Sequence, residues 1–439
     1  MGYIFKVSLN LSEDKDMREI KKIGPEIMDE YMYIYLNAYP AFKDMDEDCY
    51  KKYEAKNIRD MELDDDVDFY GCFEDGKLVS TMKLVSFQMN LFGRMHKAVG
   101  LMALGVHPLH KKQGIALEMV RFYERYAVEH GALVCPLLPF RMDFYRKMGY
   151  GLGSRMDEYH LPTDNLPKWD DLSGLRPLSL DEIGIVFEAN DKFSEMNHGM
   201  LKKFSEEKRL MEADTATQRM GCFRDGELTG YAAYRFENAS DTNYTLNRIV
   251  IDELVYFDGE TLRKLLGFFR NQADLAQTIV IRSGEEDFYH LFTDPSHISG
   301  YYIPNGYLQT NVSAICNMYK VMDPEAFVRE TSYRSLPPLE LTAAFEYHDE
   351  MADEDGKLTI RFAKNSDGTS SSWSVAQEGD KPDMTIRCMK GDLSSILMGS
   401  AHIGALIRLG IIETDKPEYT DILDTLMYNK QRPFSNNDF

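Results

Sequence analysis

Two eight-residue segments of the chain, 71–78 and 221–228, have nearly the same sequence. They read GCFEDGKL and GCFRDGEL. In each, an Asp-Gly pair stands between apolar stretches, which is typical of the tight turn of a β-hairpin. The copies lie 150 residues apart, and this period has the length of a domain. We therefore predict a duplicated domain, with each copy built around a hairpin.

The 439 residues leave room for a third domain after the two copies. The Pro- and Asp-rich stretch 161–174 reads as a linker in front of the second copy. The last part of the chain contains three strand patterns, 356–363, 372–377 and 383–388, and then one amphipathic helical stretch, 391–410. This mixture of strand and helix patterns predicts an α+β fold throughout.

The first copy contains a strand, a turn, a helix and a second strand in sequence. Residues 99–106, VGLMALGV, form a nearly continuous apolar run, as expected for a strand buried on both faces. Residues 115–130 place apolar side chains at helical spacing, and residues 131–138 read as another buried strand. The order predicts a βαβ unit, followed by a short helix at 142–148.

The net charge, the apolar runs and the cysteines and histidines of the chain restrict the classes of protein to which it can belong. The formal net charge of −22 argues against nucleic acid as a partner, and it is compatible with a cationic ligand or simply with solubility. No apolar run is long enough to span a bilayer and the start lacks a signal-peptide pattern, so we expect a cytoplasmic protein. The six scattered cysteines form no CxxC pair and the ten histidines show no paired spacing, which predicts reduced thiols and no metal site.

The turn between the first strand and its helix, HKKQGIA at 110–116, is cationic and contains a glycine. Backbone N–H groups at a helix N-terminus attract phosphate, and two lysines add positive charge. The stretch fits the pattern Arg/Gln-x-x-Gly-x-Gly/Ala, with Lys111 first, Gly114 fixed and Ala116 last. On these residues alone, a plain left-handed turn with solvated lysines accounts for the stretch equally well.

That pattern resembles the pyrophosphate loop of the GNAT acyltransferases, which bind acetyl-CoA. A second GNAT motif, aromatic-Tyr-x-x-x-Gly-aromatic, matches FYRKMGY at 144–150. With its tandem plan, the chain resembles the Eis (enhanced intracellular survival) acetyltransferases, which have two GNAT domains, the second degenerate, and a sterol-carrier-protein-like domain. The resemblance implies a catalytic GNAT domain at 1–165, a degenerate GNAT-like domain at 166–311 and a sterol-carrier-like α+β domain at 312–439.

The resemblance also implies which residues bind acetyl-CoA. The strand edge for the pantetheine arm would be Leu104, Gly105 and Val106, and the N–H of Val106 would polarise the thioester carbonyl. The pyrophosphate would be wrapped by Lys112, Gln113, Gly114, Ile115, Ala116 and Leu117, with Lys111 beside them. Lys111 departs from the Arg or Gln usual at its position and supplies a point charge instead of a fork of donors. Phe140 and Arg141 would lie near the pantetheine.

Two residues take catalytic roles by the same resemblance. Tyr145 would be the general acid that protonates the leaving thiolate, because a phenol stays protonated at neutral pH. Phe439 would carry the general base in its α-carboxylate, or would only orient the cation, because an ordinary carboxylate is a weak base. Asp438 would add negative charge beside it.

The second copy lacks the loop pattern. Its apolar strand is followed by DGETLRKLLGFF, so Asp258 and Glu260 stand where a phosphate would be bound. Two carboxylates there would repel a pyrophosphate. We therefore expect one active site per chain, in the first copy.

The resemblance implies a large acidic acceptor pocket for polycationic amines such as aminoglycosides, acetylated at one amine or several by direct attack in a ternary complex. It also implies a homo-oligomer, such as a hexamer. The tyrosine run that includes Tyr31, Tyr33, Tyr35 and Tyr39, with Phe42, is either core or a wall of that pocket. Other candidate functions are a polyamine or protein/peptide-lysine acetyltransferase and, from another class, a lipid- or ligand-binding protein or a non-catalytic interaction protein.

Overall fold

The computed structural model describes residues 18–42, 47–304 and 306–436. The chain separates into two compact units. The first unit holds the residues up to Val85 together with Leu101–Tyr126, and the second holds Ser86–Gly100 and the residues from Ala127 onward. We describe each unit by itself.

The first unit is a sheet with helices, and its strands follow the hairpin plan predicted from the sequence. Strands β1 to β4 are neighbours in chain order. The elements are β1 (Glu19–Lys22), α1 (Met28–Ala38), α2 (Glu47–Leu63), β2 (Val67–Glu74), β3 (Lys77–Leu91), β4 (Arg94–Val106) and α3 (Ile115–Glu129), of which the last three continue into the second unit. The predicted helix at 115–130 is confirmed.

The second unit begins its own chain of elements with a short strand and a short helix. These are β5 (Val134–Leu137), α4 (Met142–Arg146) and β6 (Gly151–Leu152). The next strand, β7 (Arg155–Pro162), already belongs to another sheet. The predicted linker is therefore wrong at its start, because Leu161 and Leu166 are fully buried in the core of that sheet.

That second sheet has seven strands in the order β15-β7-β12-β11-β10-β9-β8. Its core lies between the sheet and the helix α7, where Ile249, Leu265, Phe269 and Ile279 are buried. The elements in chain order are β8 (Leu175–Leu178), α5 (Ile183–Met196), α6 (Ser205–Ala213), β9 (Gln218–Arg224), β10 (Glu227–Asn238), β11 (Asn247–Tyr256), α7 (Gly259–Arg270), β12 (Thr278–Ser283), β13 (Tyr302–Ile303), β14 (Tyr307–Leu308) and β15 (Val312–Ile315).

Both predicted hairpin turns are confirmed. Asp75 and Gly76 have φ angles of 52° and 75°, and Asp225 and Gly226 have φ angles of 53° and 86°. Two consecutive residues with positive φ define the type I′ turn, whose twist matches that of the flanking strands. The turns join β2 to β3 and β9 to β10, so the sequence repeat corresponds to a repeated structural unit.

A strand from the later part of the chain completes the sheet that contains β5. β16 (Met318–Val321) pairs antiparallel with β5 on one side and with β6 on the other. β7 thus lies in the second sheet although it precedes residue 165, and β16 lies beside β5 although it follows residue 311. The domain boundaries drawn at those residues stay a prediction.

The third region is a five-stranded sheet with helices, in the strand order β19-β18-β17-β20-β21. The three predicted strands are confirmed, whereas the stretch 391–410 forms two helices instead of one because Gly399 turns the chain with a φ of 71°. The elements are α8 (Pro324–Glu330), β17 (Leu341–Asp349), β18 (Glu354–Lys364), β19 (Ser371–Val375), β20 (Met384–Met389), α9 (Lys390–Leu397), α10 (Ile403–Arg408), β21 (Glu413–Thr414) and α11 (Thr420–Met427).

All three regions combine mixed sheets with helices, which confirms the α+β class. The six cysteines are free, and four of them are buried. The likeness of the third region to a sterol carrier stays a prediction.

Candidate active site

The end of strand β4 is distorted where the sequence predicted a plain buried strand. Ala103 has a φ of 50°, in the left-handed region that a residue with a Cβ seldom enters. The next two carbonyl groups accept hydrogen bonds from side chains: Tyr39 Oη donates to Leu104 O at 3.3 Å, and Ser80 Oγ donates to Gly105 O at 2.6 Å. The backbone that leads to Val106 is therefore held by contacts within the first unit.

Gly105 is required by the close approach of helix α1 to this strand. A Cβ at position 105 would lie 3.1 Å from Ile34 Cγ2 and 3.2 Å from Ala38 Cβ. Leu104 and Gly105 are buried, and Val106 is half-buried. Gly105, the middle one of the three predicted strand-edge residues, thus lies directly against α1.

The loop after β4 has the backbone shape of an anion-binding site. Lys112 and Gly114 have φ angles of 63° and 84°, and α3 begins at the next residue, Ile115. Left-handed residues in front of a helix aim successive N–H groups into one concavity, where the helix dipole also favours negative charge. Residues 111–114 are exposed, and in the part of the chain that the structure describes neither Lys111 nor Lys112 forms an ion pair. The exposed N–H groups of this loop, together with the side chains of Lys111 and Lys112, are therefore suited to binding a pyrophosphate.

Ile115, Ala116 and Leu117 form the first turn of α3. Ile115 is buried, whereas Ala116 and Leu117 are half-buried. A buried Ile115 fixes the start of the helix by packing.

An ion-pair network that sequence reasoning missed supports this loop. Arg18 Nε lies 2.9 Å from Glu74, its Nη1 lies 2.8 Å from Glu118, and Nη1 also donates to Gln113 O at 3.1 Å. His110 Nδ1 lies 2.9 Å from the other oxygen of Glu74. The hydrogen bond from Arg18 lowers the pKa of Glu74, so this carboxylate stays charged. The partners lie up to 100 residues apart in sequence, and no local pattern signals the pairing.

Three further predicted residues, Phe140, Arg141 and Tyr145, lie in the second unit. Tyr145, on α4, is 3% exposed and packs edge-on against Phe140 and Tyr150 at ring distances of 5.9 and 5.8 Å. Phe140 is largely exposed, and the exposed Arg141 donates from Nε to Asp143 at 3.1 Å. This arrangement holds the Tyr145 ring in one orientation.

The turn that follows Tyr145 is fixed by a side chain of β16. Gly149 has a φ of 82°, and Lys320 donates from Nζ to Met148 O at 2.9 Å. The Tyr145 carbonyl accepts the N–H of Tyr150 at 3.1 Å. The glycine of the aromatic-Tyr-x-x-x-Gly-aromatic motif is thus needed for a left-handed turn.

A cavity of about 580 Å³ lies in the first unit beside the start of the loop. Two carboxylates line it, Asp29 and Glu30 from the first turn of α1, with Tyr33 one turn later and His107 from the loop. The rest of the lining is mainly apolar and includes one cation, Lys77. The rings of Tyr33 and His107 lie 5.3 Å apart, and burial lowers the pKa of His107, which favours the neutral ring. Carboxylates and an exposed phenol ring suit a cation better than a phosphate.

The tyrosine run therefore divides between the two roles that the sequence left open. Tyr31 is buried in the core against Phe69, at a ring distance of 5.5 Å. Tyr33 is 52% exposed in the cavity wall, and Tyr39 holds β4. Burial raises the pKa of Tyr39 to about 12, which keeps its hydroxyl a donor. The side chain of Phe42 lies outside the described residues.

The corresponding helix start in the second copy is closed by the chain itself. Asp258 caps α7 by accepting the Thr261 N–H at 2.8 Å, and Arg224 donates to Asp258 at 3.0 Å. The hydrogen bond from Arg224 lowers the pKa of Asp258 to about 2. Glu260 lies 3.5 Å from Arg224 and 3.3 Å from Lys264. A carboxylate already occupies the position that a phosphate would need.

The predicted general base and its neighbour, Phe439 and Asp438, lie outside the described residues, so both stay predictions. Within residues 18–42, 47–304 and 306–436, no group of three or more His, Cys, Asp or Glu side chains is arranged to hold a metal ion. In the same ranges, no helix has both the length and the apolar character that a membrane span requires.

Comparison with known proteins assigns the class. Residues 26–153 match a family model described as an acetyltransferase (GNAT) domain, and residues 199–307 match a second model of the same description. No curated protein has a significantly similar sequence.

Solved structures share the fold over almost the whole chain. A GCN5-related N-acetyltransferase from Anabaena variabilis has a TM-score of 0.76 at 15% identity, covering 96% of this chain and 100% of its own. Another from Kribbella flavida has a TM-score of 0.69 at 16% identity, covering 97% and 99%. Eis1 from Mycobacterium abscessus has a TM-score of 0.72 at 18% identity, covering 96% and 100%.

The two domain matches define an acyltransferase that uses acetyl-CoA as its co-substrate. The chain belongs to the GNAT acetyltransferases, with two domains of that family in tandem and the fold of an Eis-like protein. The predicted tandem GNAT plan and the resemblance to Eis are confirmed at the level of the fold.

Proposed function

We propose that the first GNAT domain transfers an acetyl group to amino groups of polycationic small molecules such as aminoglycosides, at one amine or several, by direct attack in a ternary complex. Acetyl-CoA supplies the activated acetyl group as a thioester. The observation that carries the choice of acceptor is the cavity lined by Asp29, Glu30, Tyr33 and His107, which adjoins the loop of the same domain. Its lining offers charge and a ring face to an ammonium group.

The loop and the strand edge would bind different parts of acetyl-CoA. The N–H groups of Lys112, Gln113 and Gly114, with the side chains of Lys111 and Lys112, would bind the pyrophosphate. Leu104, Gly105 and Val106 would bind the pantetheine arm, with Phe140 and Arg141 also assigned to it. Tyr39 and Ser80, which hold the carbonyls before Val106, support this role of the strand.

Tyr145 would act as the general acid for the departing thiolate. A phenol has an ordinary pKa of about 10 and is therefore protonated at neutral pH, so it can donate a proton to a thiolate. The packing also restricts the ring to one orientation, which proton transfer requires.

The acceptor class is tested by acetylation of a panel that contains aminoglycosides, linear polyamines and lysine peptides, with products scored by mass spectrometry. The expected result is turnover that increases with the number of amines on a compact acceptor. Turnover of lysine peptides alone would assign a protein acetyltransferase instead, and no turnover of any amine would contradict the proposal.

The cavity is tested by the double variant Asp29→Asn/Glu30→Gln. Removing two carboxylates should raise KM for a polycationic acceptor about five- to thirtyfold and leave KM for acetyl-CoA unchanged, since each screened ion pair contributes about 0.5–1 kcal/mol. The matched control is Glu47→Gln/Asp48→Asn, which removes the same charge from the first turn of α2. An equal rise in both variants would assign the effect to net charge and not to the cavity.

We also propose that the chain assembles as a homo-oligomer, such as a hexamer. Residues 295–319 contain no Asp, Glu, Lys or Arg, although 28% of the chain is charged. Within this stretch Tyr302, Ile303, Tyr307 and Leu308 are each more than half exposed on the hairpin β13–β14. Copies that each carry a charge of −22 repel, so an uncharged apolar surface is the favoured contact between them.

The double variant Tyr302→Glu/Tyr307→Glu tests this interface. It should lower the mass measured by light scattering, and an unchanged mass would contradict the interface.

A further inference from the structure

Strands β11 and β12 of the second GNAT domain separate before they end. They pair in parallel from Arg248 and Thr278 only as far as Ile251 and Ile281. β11 runs on to Tyr256, and the register of β10 against β11 shifts opposite Asp252. A gap therefore opens between Val255, on β11, and Gly284, just after β12. Together with α7, these strands repeat the strand–helix–strand order by which the first domain forms its cofactor site.

The side chain of Phe434 fills this gap. Phe434 is 6% exposed and lies in one buried cluster with Val255, Tyr231 and Phe193. Its ring meets the Phe193 ring edge-on at 5.7 Å. On the other side of the gap a methyl group at Gly284 would lie only 2.9 Å from Phe434 Cδ2, so glycine is what admits the ring.

One main-chain hydrogen bond and several side-chain contacts hold the segment around Phe434. The Phe434 N–H donates to His198 O at 2.7 Å, and Gln431 Nε2 donates to Asn197 Oδ1 at 2.6 Å. Arg432 pairs with Glu286 at 2.8 Å, and a Cβ at Gly199 would lie 2.7 Å from Pro433 Cβ. Main-chain bonds together with one deep aromatic anchor are how domains recognise peptides.

The residue after the anchor leads toward another sheet. Ser435 is fully buried, and Asn317 Nδ2 donates to Ser435 Oγ at 2.9 Å. Asn317 immediately precedes β16, which pairs with β5. The segment Gln431–Ser435 therefore runs from the β11–β12 gap to the strand beside β5.

We propose that the second GNAT domain uses the gap of its cofactor site as a peptide-binding site, and that its ligand is the chain's own segment Gln431–Ser435. In this domain the segment occupies the gap that a soluble cofactor would otherwise enter. This contact also fixes the segment beside the sheet of β5 and β16. The proposal depends on the GNAT fold of residues 199–307 and not on the acceptor proposed for the first domain.

Two separate observations agree on this exchange. Asp258 occupies the phosphate position at the start of α7, and Phe434 occupies the gap between the strands. Either side chain alone would weaken cofactor binding in the second domain. Together, Asp258 and Phe434 occupy both the phosphate position and the gap between the strands.

The site is tested on the full chain by hydrogen–deuterium exchange of peptides that cover residues 429–436. Gly284→Ala places a methyl group against the Phe434 ring, so the Phe434 amide should exchange at least tenfold faster than in the wild-type chain. The matched control is Gly184→Ala, in the same domain, where a Cβ meets nothing within 4 Å and the exchange should not change. Unchanged exchange of the segment in Gly284→Ala would overturn the proposal.

A second variant and a second measurement cover the case in which Gly284→Ala does not fold. Phe434→Leu keeps an apolar side chain but lacks the ring, and it should accelerate exchange of the segment several-fold. Titration of the wild-type chain with acetyl-CoA should saturate at one molecule per chain. A second bound molecule would overturn the proposal, whereas failure to acetylate any amine would count only against the proposed function.

Discussion

The two GNAT domains differ most clearly at one helix start. In the first domain, α3 is preceded by Lys112 and Gly114 in left-handed conformations and by two lysines without ion pairs in the described part of the chain. In the second, α7 is capped by Asp258, which Arg224 and Thr261 already bind. The same strand–helix unit therefore has an exposed helix start in one domain and a capped helix start in the other, and a few residues at the turn account for the difference.

The largest expected effect comes from placing the acid of the second domain into the loop of the first. Gly114→Asp adds a carboxylate where a pyrophosphate would be bound and strains a backbone with a φ of 84°. Acetyl-CoA affinity should fall more than a hundredfold, since repulsion and strain together cost about 3 kcal/mol. Isothermal titration measures it.

The control for that variant is Gly226→Asp, whose φ of 86° imposes the same strain in the turn of the second hairpin. It should leave acetyl-CoA affinity unchanged. Equal losses of affinity in both variants would show that strain alone acts and that the loop holds no phosphate.

The next effect concerns Tyr145, the proposed general acid of the first domain. Tyr145→Phe should lower kcat about a hundredfold, the usual contribution of a general acid, and leave KM for acetyl-CoA nearly unchanged. Release of free thiol measures it. Tyr150→Phe, a neighbouring buried ring, is the control, and wild-type kcat in Tyr145→Phe would remove the acid role.

Acidification should act on the second domain through His198. Burial lowers the pKa of this histidine to about 4, while its Nδ1 accepts the Phe92 N–H at 3.1 Å. In the unfolded chain the pKa of this histidine is about 6.5. Between about pH 6.5 and pH 4 it is therefore protonated in the unfolded chain and neutral in the folded chain, so the free energy of unfolding decreases as the pH falls through this range. Between pH 7 and pH 5 the free energy of unfolding should drop by about 2 kcal/mol.

Denaturant unfolding followed by Trp373 fluorescence would measure this drop, because Trp373 packs near Phe92. His198→Gln keeps an acceptor and a donor but cannot be protonated, so its stability should depend less on pH. An identical pH dependence in this variant would assign the loss to other groups.

The smallest effect tests the cap of α7. Asp258→Ala should cost about 1 kcal/mol of stability, the usual loss for an N-cap, without changing acetyl-CoA binding. Asp258→Asn keeps the cap and serves as the control. If Asp258→Ala gained a second acetyl-CoA site, the acid and not the filled gap would be what closes the second domain.

Local patterns predicted much of the fold and part of the site. Helix α3, both Asp-Gly turns and the strands β18 to β20 follow from periodicity and turn chemistry, which act over a few residues. The loop was found because its motif is contiguous in sequence. Ala103, by contrast, lies in an apolar run that looks like an ordinary strand, and only tertiary contacts produce its positive φ.

The parts that the sequence did not predict depend on distant partners. Arg18 reaches Glu118 across 100 residues, and β16 enters the sheet beside β5 from almost two hundred residues away. Leu161 and Leu166 looked like linker because prolines and aspartates surround them, yet both are core. Pairings of this kind are set by the whole fold, and a single sequence contains no local signal for them.

The place of Phe434 also has a consequence for the order in which the protein is made on the ribosome. The second GNAT domain is synthesised long before residue 434, yet its cluster around Val255 and Phe193 is incomplete without that ring. The sheet that contains β5 is likewise incomplete until β16 has been synthesised. Domains usually fold as they emerge. In this chain, a nascent second domain would expose an unfilled apolar gap until Phe434 has been synthesised, long after the rest of that domain.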